Sequence, residues 1–305
     1  MERSLTTTQP GDLQYIVRLV TDSVTSPHSR RAYGQALNEF LLWYDAQGRH
    51  GLNKAAVNAF RAELLAAGKS PASINLTLSA IRKLATEAAD NGYLDPMAAE
   101  GIRRVKGVKA AGVKLGNWLT REQAQTLIQT PDPSTLKGLR DRAILAIMLG
   151  GGLRRSEIAK LKVDDIQQRE GRWVILDLVG KGNRVRTVPI PAWVKLTIDY
   201  WLDAAGIRGD RLFRPVNKSG RLYGDELTPQ AIYNVVAHYS ELAGFVVAAH
   251  DLRRTFARLA HHGGAALDQI QLTLGHASIQ TTERYLGIRQ DLHHAPCDVL
   301  GLALK

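Results

Sequence analysis

The sequence predicts a mainly α-helical protein of two domains, the second carrying a small β-hairpin. Apolar residues recur at helical spacing through roughly the first hundred positions, a basic glycine-punctuated stretch then breaks the pattern, and one β-rich pair of segments interrupts an otherwise helical remainder. A chain of 305 residues is long enough for two hydrophobic cores, since domains commonly run ~100–200 residues.

In the first domain, set at residues 1–105, Leu13, Ile16, Val20 and Val24 keep a helical period. After the break at Ser26-Pro27, Tyr33, Leu37, Phe40 and Tyr44 keep the next one, and Val57, Phe60 and Leu64 mark a third helix. In the fourth, Ser70 caps, Pro71 takes the first helical position, and Ile74, Leu78, Ile81, Ala85 and Ala88 form a single apolar stripe that Asn91-Gly92 ends. Arg30, Arg31, Lys69, Arg82 and Lys83 are candidate phosphate contacts on these helices. From Arg103 to Asn117 the sequence RRVKGVKAAGVKLGN has only positive charge and no apolar period, which predicts a flexible basic linker over 106–117, with Lys106, Lys109 and Lys114 as further candidate phosphate contacts.

The second domain, set at 118–305, opens on a capping box, Thr120 with Gln123, leading into Ala124, Leu127 and Ile128. A buried helix from Asp141 to Leu149 closes on Gly150-Gly151-Gly152. Next comes a helix begun by Arg154, whose inward face is expected to be Ile158, Leu161 and Ile166. Trp173–Val179 and Arg184–Ile190 flank the turn composition Gly180-Lys181-Gly182-Asn183 and predict a hairpin. Helical periods are expected to persist from Pro191 to the end.

The net charge of +11 points to a polyanionic partner, nucleic acid first, because a phosphate backbone rewards distributed Lys and Arg. Cys297 is the single cysteine, so neither an internal disulfide nor a cysteine metal site is expected. The amino terminus is polar where a signal peptide needs an apolar core, and no apolar run approaches the ~18 residues of a membrane span. A cytoplasmic protein with no membrane partner is expected.

Several side chains then invite a chemical interpretation. Arg154 sits at a helix amino terminus, where a cation opposes the helix dipole and is eased by an anion, either a phosphate or Glu157 one helical turn on. Lys181 is displayed at the hairpin tip. In HDLRRTFA, His250 and Arg253 are spaced i, i+3 and share a face. In LGHASIQTTERYLG, Gly275 ends one helix, His276 follows in the turn, Ser278 caps the next helix and Tyr285 lies within it.

Occurring together and in this order, these segments resemble the catalytic domain of the tyrosine recombinases, or phage integrase family, and the helical first domain resembles that family's core-binding domain. The resemblance covers essentially the whole chain. It implies catalytic roles for Arg154, Lys181, His250, Arg253, His276 and Tyr285, with Glu157 in support, and a two-domain clamp on double-stranded DNA. It also implies inverted-repeat core sites, a tetramer assembled on two of them, and no metal or other cofactor; accessory proteins are left open. Two positions depart from the commonest pattern: Arg155 where an apolar residue is frequent, and Arg254 where histidine is frequent.

The chemistry of such a set is coherent. A phenol of pKa ~10 is mostly neutral at pH 7, and neighbouring cations favour its phenolate. A pentacoordinate phosphorane carries extra negative charge, which fixed guanidinium and imidazole donors stabilise. Two further readings stand beside it, a type IB topoisomerase-like strand transferase and a catalytically silent DNA-binding protein of the same fold. The tail beyond Tyr285, with Val299, Leu300, Leu302 and Leu304, is too short and apolar to stand alone and is expected to dock either on its own domain or on a neighbouring protomer.

Overall fold

The computed structural model describes residues 10–48, 51–109, 117–180 and 184–286, and for positions 10–13, 284 and 285 the backbone alone. The chain divides into two compact units, Met1–Val113 and Lys114–Lys305.

The first unit is built of helices α1 (Pro10–Asp22), α2 (Pro27–Ala46), α3 (Lys54–Ala66), α4 (Pro71–Asp90) and α5 (Pro96–Arg103). Their starts follow local chemistry. Ser26, Ser70 and Asp95 accept hydrogen bonds from backbone N–H groups of the first turn, each just before a proline that gives up a donor the helix would leave unpaired. Asn53 accepts from both Ala55 and Ala56 to begin α3. The expected stripes meet in one core: Leu37 and Phe40 of α2, Val57 and Phe60 of α3, and Ile74, Leu78 and Ile81 of α4 are all buried. Phe40 and Phe60 lie with ring centroids 5.2 Å apart. On α4, Ala80, Ala85 and Ala88 are wholly buried, and their small side chains let neighbouring helices approach.

In the second unit Thr120 and Gln123 form both hydrogen bonds of a capping box at the start of α6 (Arg121–Gln129). Helix α7 (Leu136–Gly151) is buried along most of its length and starts earlier than its apolar run suggested, because Thr135 caps it through the N–H of Gly138. It ends at Gly152, which is in the left-handed region at φ 64°; a Cβ there would lie 2.6 Å from the ring of Phe256.

Beyond Arg154 the structure corrects the sequence. The helix that Arg154 begins, α8, spans only Arg155–Ile158, and Ile166 opens a strand instead of continuing a helical face. The sheet has three antiparallel strands in the order β1 (Ile166–Arg169), β2 (Arg172–Val179), β3 (Val185–Pro189), not a lone hairpin. The cause is long-range: Leu212 N–H donates to the Leu161 carbonyl and Val163 N–H donates to that of Asp210, so a segment some fifty positions away takes backbone groups that a longer helix would use for itself.

Helicity after Pro191 is also interrupted. Helix α9 (Ala192–Ala205) ends at Gly206, the chain to Thr228 runs through turns and isolated bridges, and helices resume with α10 (Pro229–Leu242), α11 (Ala249–His262), α12 (Leu267–Leu274) and α13 (Ile279–Leu286). Asp141 and Tyr239 join α7 to α10 inside the core, the phenol donating to the carboxylate at 3.1 Å.

Candidate active site

The carboxyl end of α7 delivers the chain to the site. Leu153 is fully buried and anchors the turn, and Arg154 caps α8 with its side chain 27% exposed. Glu157 grips Arg154 twice, accepting from its backbone N–H at 2.8 Å and from its guanidinium at 2.7 Å. The Glu157 side chain is only 4% exposed. Burial alone would raise its pKa, but hydrogen bonds from Arg186 and the Arg154 backbone, with both guanidinium charges, outweigh this and lower it.

Arg186 is the residue the sequence did not single out. It lies on β3, donates through both terminal nitrogens to the two oxygens of Glu157, and donates its Nε to the Thr273 carbonyl at the end of α12. It thereby joins three elements at one point. The i, i+2 alternation of Arg184 and Arg186 after the turn was the available signal, since it places Arg186 on the strand face opposite its neighbours Val185 and Thr187. Gly275 makes room for it: a Cβ at this left-handed position would touch Arg186 Cδ at 3.0 Å.

Helix α11 supplies His250 and Arg253. Arg253 is 1% exposed, and its guanidinium donates to the carbonyls of Gly152 and Leu274, at two helix-ending turns. A fully charged side chain is thus fixed by backbone acceptors, between the turn that leads to Arg154 and the turn that leads to His276. His250 opens onto a cleft of about 400 Å³ whose walls include Arg154, Arg155, Tyr233 and Arg253. The protein packed round its ring, then the charges of Arg254 and Arg253, hold its pKa below the usual histidine value. Arg155 lies over the Tyr233 ring at 5.6 Å.

His276 follows Gly275 as expected, half-buried, with Nδ1 at 2.9 Å from the Thr282 hydroxyl of α13. Burial, followed by the charges of Arg253 and Arg154, depresses its pKa to about 4. Ser278 caps α13 through the N–H of Gln280, and Tyr285 lies in the last turn of that helix. Lys181 falls outside the described residues. On either side of it, Gly180 N–H donates to the Arg184 carbonyl at 2.8 Å, and a Cβ on Gly180 would lie 3.5 Å from Arg154 Nη1.

The candidate DNA contacts are more dispersed. Arg31, Lys106 and Lys109 are exposed, Lys69 pairs with Glu39 and Lys83 with Glu87. Arg30 donates to the Val24 carbonyl, half-buried Arg82 donates to that of Val105, and Lys114 lies outside the described residues.

A helical unit is thus followed by a mostly helical one with a three-stranded sheet, whose cleft gathers Arg154, Arg155, Arg253 and His250, while neutral His276 meets the tyrosine-bearing helix at Thr282. This defines a protein built to hold a polyanion at a preorganised cationic centre. Residues 117–291 match the model of the phage integrase family, and residues 13–92 match that of the phage integrase N-terminal SAM-like domain. The chain belongs to the phage integrase family and is a site-specific tyrosine recombinase.

Tyrosine recombinase XerC of Pelobacter propionicus is 32% identical over 281 residues, which cover 90% of this chain and 89% of the relative. Tyrosine recombinase XerA of Thermococcus kodakarensis is 31% identical, covering 85% and 84%. Among solved structures, XerH site-specific recombinase bound to palindromic difH substrate in a post-cleavage complex shares the fold, with a TM-score of 0.70 at 22% identity over 93% of this chain and 82% of that one. A lambda integrase dimer bound to a COC' core site does so with a TM-score of 0.66 at 16% identity, over 93% and 98%.

Proposed function

We propose that Tyr285 is the nucleophile of a strand-transfer reaction on double-stranded DNA, and that Arg154, Arg253, His276, His250 and Lys181 serve it. The phenol oxygen attacks the scissile phosphorus, a phosphotyrosine bond forms at the 3′ end, and the 5′ oxygen leaves. The bond energy stays in the ester, so rejoining needs no nucleotide.

The observation that carries this reading is the way Arg253 is held. Its charge is buried at 1% exposure and tied to backbone carbonyls on two turns, one leading to Arg154 and the other to His276. A fixed cation beside a cleft costs no reorganisation when negative charge develops on a phosphorane. Arg154, steadied by Glu157, supplies the second guanidinium from the cleft wall. His276 is neutral at pH 7. Its Nδ1 lies 2.9 Å from the Thr282 hydroxyl, and in the tautomer that carries the ring proton on Nε2 that nitrogen donates to a phosphate oxygen. Neutral His250 accepts the phenolic proton. Lys181, which follows Gly180 in the sequence, protonates the leaving 5′ oxygen.

Full recombination takes a tetramer on two inverted-repeat sites, with strands exchanged through a Holliday junction, in the cytoplasm. The tetramer on a Holliday junction solved for lambda integrase supports that assembly. Among the described residues no helix is long and apolar enough to cross a membrane. The relatives favour neither the topoisomerase-like reading nor a silent binding protein. The domain limits of 1–105, 106–117 and 118–305 remain part of this proposal.

The test is a nicked, end-labelled site incubated with wild type and Tyr285→Phe. Wild type yields a protein-linked 3′ phosphate; the variant binds the site and yields none. Covalent product from the variant would move the nucleophile elsewhere. Tyr239 is a poor substitute, being buried and held protonated by burial and by Asp141, whereas Tyr233 lines the cleft.

A further inference from the structure

We infer that Arg258 is a positioning residue for the tyrosine-bearing helix, and that Trp118, the first residue after the basic stretch 103–117, holds Arg258 in place. This deepens the assignment of Tyr285 as nucleophile and rests on it.

Three contacts converge on one face of α11. Arg258 Nη1 donates to the carbonyl of Leu286 at 3.1 Å, the residue after Tyr285 and the last of α13. A charged guanidinium that bonds a main-chain carbonyl beside the tyrosine holds the backbone at that point. The same guanidinium lies over the Trp118 ring, 3.8 Å from its centroid. That distance is well inside the range of a cation–π contact, and a planar guanidinium stacks on an indole in a way an ammonium does not. Thr255, one helical turn before Arg258, accepts the Leu119 N–H at 2.9 Å. Its hydroxyl in turn donates to the Asp251 carbonyl of the same helix, and Thr255 is wholly buried. Residues 118 and 119 are thus pinned to α11 at two successive points.

The other side of the α13 end is apolar. Leu286 is 5% exposed and belongs to a small cluster with Ala257 of α11 and Ile270 and Leu274 of α12. Apolar packing is non-directional: it holds the last turn against α11 and α12 without setting its rotation or its height. Among the described residues the directional contacts are the Thr282 hydroxyl against His276 near the middle of α13 and, beside the tyrosine, the hydrogen bond from Arg258. Helix α11 also carries His250 and Arg253, so the guanidinium references the tyrosine helix to the element that presents the other groups of the site. Trp118 restricts the side chain that makes this bond, which links the placement of residues 118 and 119 to the pose of α13.

The full chain is assayed for covalent-complex formation on a nicked half-site, in single turnovers at saturating DNA, alongside half-site Kd and thermal denaturation. Arg258→Gln slows covalent-complex formation roughly ten- to hundred-fold, the scale expected of a small misplacement of a reacting group, while Kd stays within about twofold. Arg258→Lys, which keeps the charge and one donor, recovers part of the rate. Trp118→Ala slows the reaction in the same direction and Trp118→Phe, which keeps an aromatic face, much less; the Trp118→Ala effect disappears in the Arg258→Gln background. An unchanged rate for Arg258→Gln, a loss confined to Kd, or independent multiplication of the Trp118 and Arg258 effects would overturn the inference. Should Arg258→Gln fail to fold, the pair Trp118→Ala and Trp118→Phe decides it by the same rate-against-Kd criterion. Tyr285→Phe run in parallel separates the two questions: covalent product from it refutes the nucleophile assignment, whatever Arg258 does.

Discussion

Glu157 and Arg186 meet fork to fork across 29 positions of sequence, with Nη1 to Oε1 at 3.1 Å and Nη2 to Oε2 at 2.9 Å. Because Glu157 also holds Arg154, one carboxylate fixes the relative placement of α8, β3 and, through the Thr273 carbonyl, the end of α12.

Glu157→Gln therefore costs more than a surface pair would. Two guanidiniums lose their counter-charge in a buried place, and breaking such a pair typically costs ~3–5 kcal/mol. Denaturant unfolding at pH 7 measures it. The folded-state pKa of Glu157 is depressed, so its stabilisation is present above the unfolded value near 4.5 and is lost as the pH falls through the folded value. The difference between wild type and variant accordingly shrinks on acidification; a constant difference would show that the carboxylate charge is not what holds the junction.

Arg186→Lys keeps the charge but not the two-pronged geometry. It should lower the rate of covalent-complex formation by about tenfold or more if Arg154 holds the phosphate as proposed, because a small misplacement of such a group costs that much. Single-turnover rates at saturating DNA check this, and a wild-type rate would relieve Arg186 of any part in placing Arg154.

His276 should stay neutral across the ordinary working range of pH. In the DNA-free protein its ring resonances should begin to move only as the pH approaches about 4. An NMR titration reads this directly. The sign for stability follows: the unfolded chain takes up a proton near pH 6.5 that folded His276 refuses, so this group's contribution destabilises the fold progressively as the pH drops from there towards 4. A titration midpoint near 6.5 in the folded protein would remove the neutral-donor role.

Lys181→Ala should be severely slowed on ordinary DNA and largely rescued when the 5′ leaving oxygen is replaced by sulfur, which departs without protonation. Equal loss on both substrates would assign Lys181 to phosphate positioning.

Affinity for the site should fall steeply with salt, and neutralising Lys106, Lys109 and Lys114 should flatten that dependence by about one unit of slope for each phosphate that a lysine no longer neutralises. Filter-binding or mobility-shift titrations across salt concentrations give the slope; an unchanged value would mean that the basic stretch stays off the DNA.

Much of this molecule was legible because its signals are local. The Ser70 cap, Pro71 at the first helical position and i, i+3, i+4 stripes marked helices of the first unit, and Leu37, Phe40, Phe60 and Ile74 are buried where their spacing placed them. The Thr120–Gln123 capping box, the left-handed Gly275 before His276 and the Arg154–Glu157 pair needed only near neighbours in sequence. By itself, then, the sequence determined helices α2 to α4 and the start of α6, the order of the candidate site residues and the polyanionic character of the partner. What tertiary structure alone decided were contacts between distant segments. The pairing of 161–163 with 210–212 ends α8 early and lets Ile166 start a third strand, the burial of Arg253 depends on carbonyls 101 and 21 positions away, and Arg186 reaches Glu157 only because the fold sets β3 beside α8. Periodicity records which face of an element is apolar, whereas a backbone carbonyl or a buried carboxylate accepts from whichever donor the fold brings within about 3 Å, and that choice is made only when the elements pack.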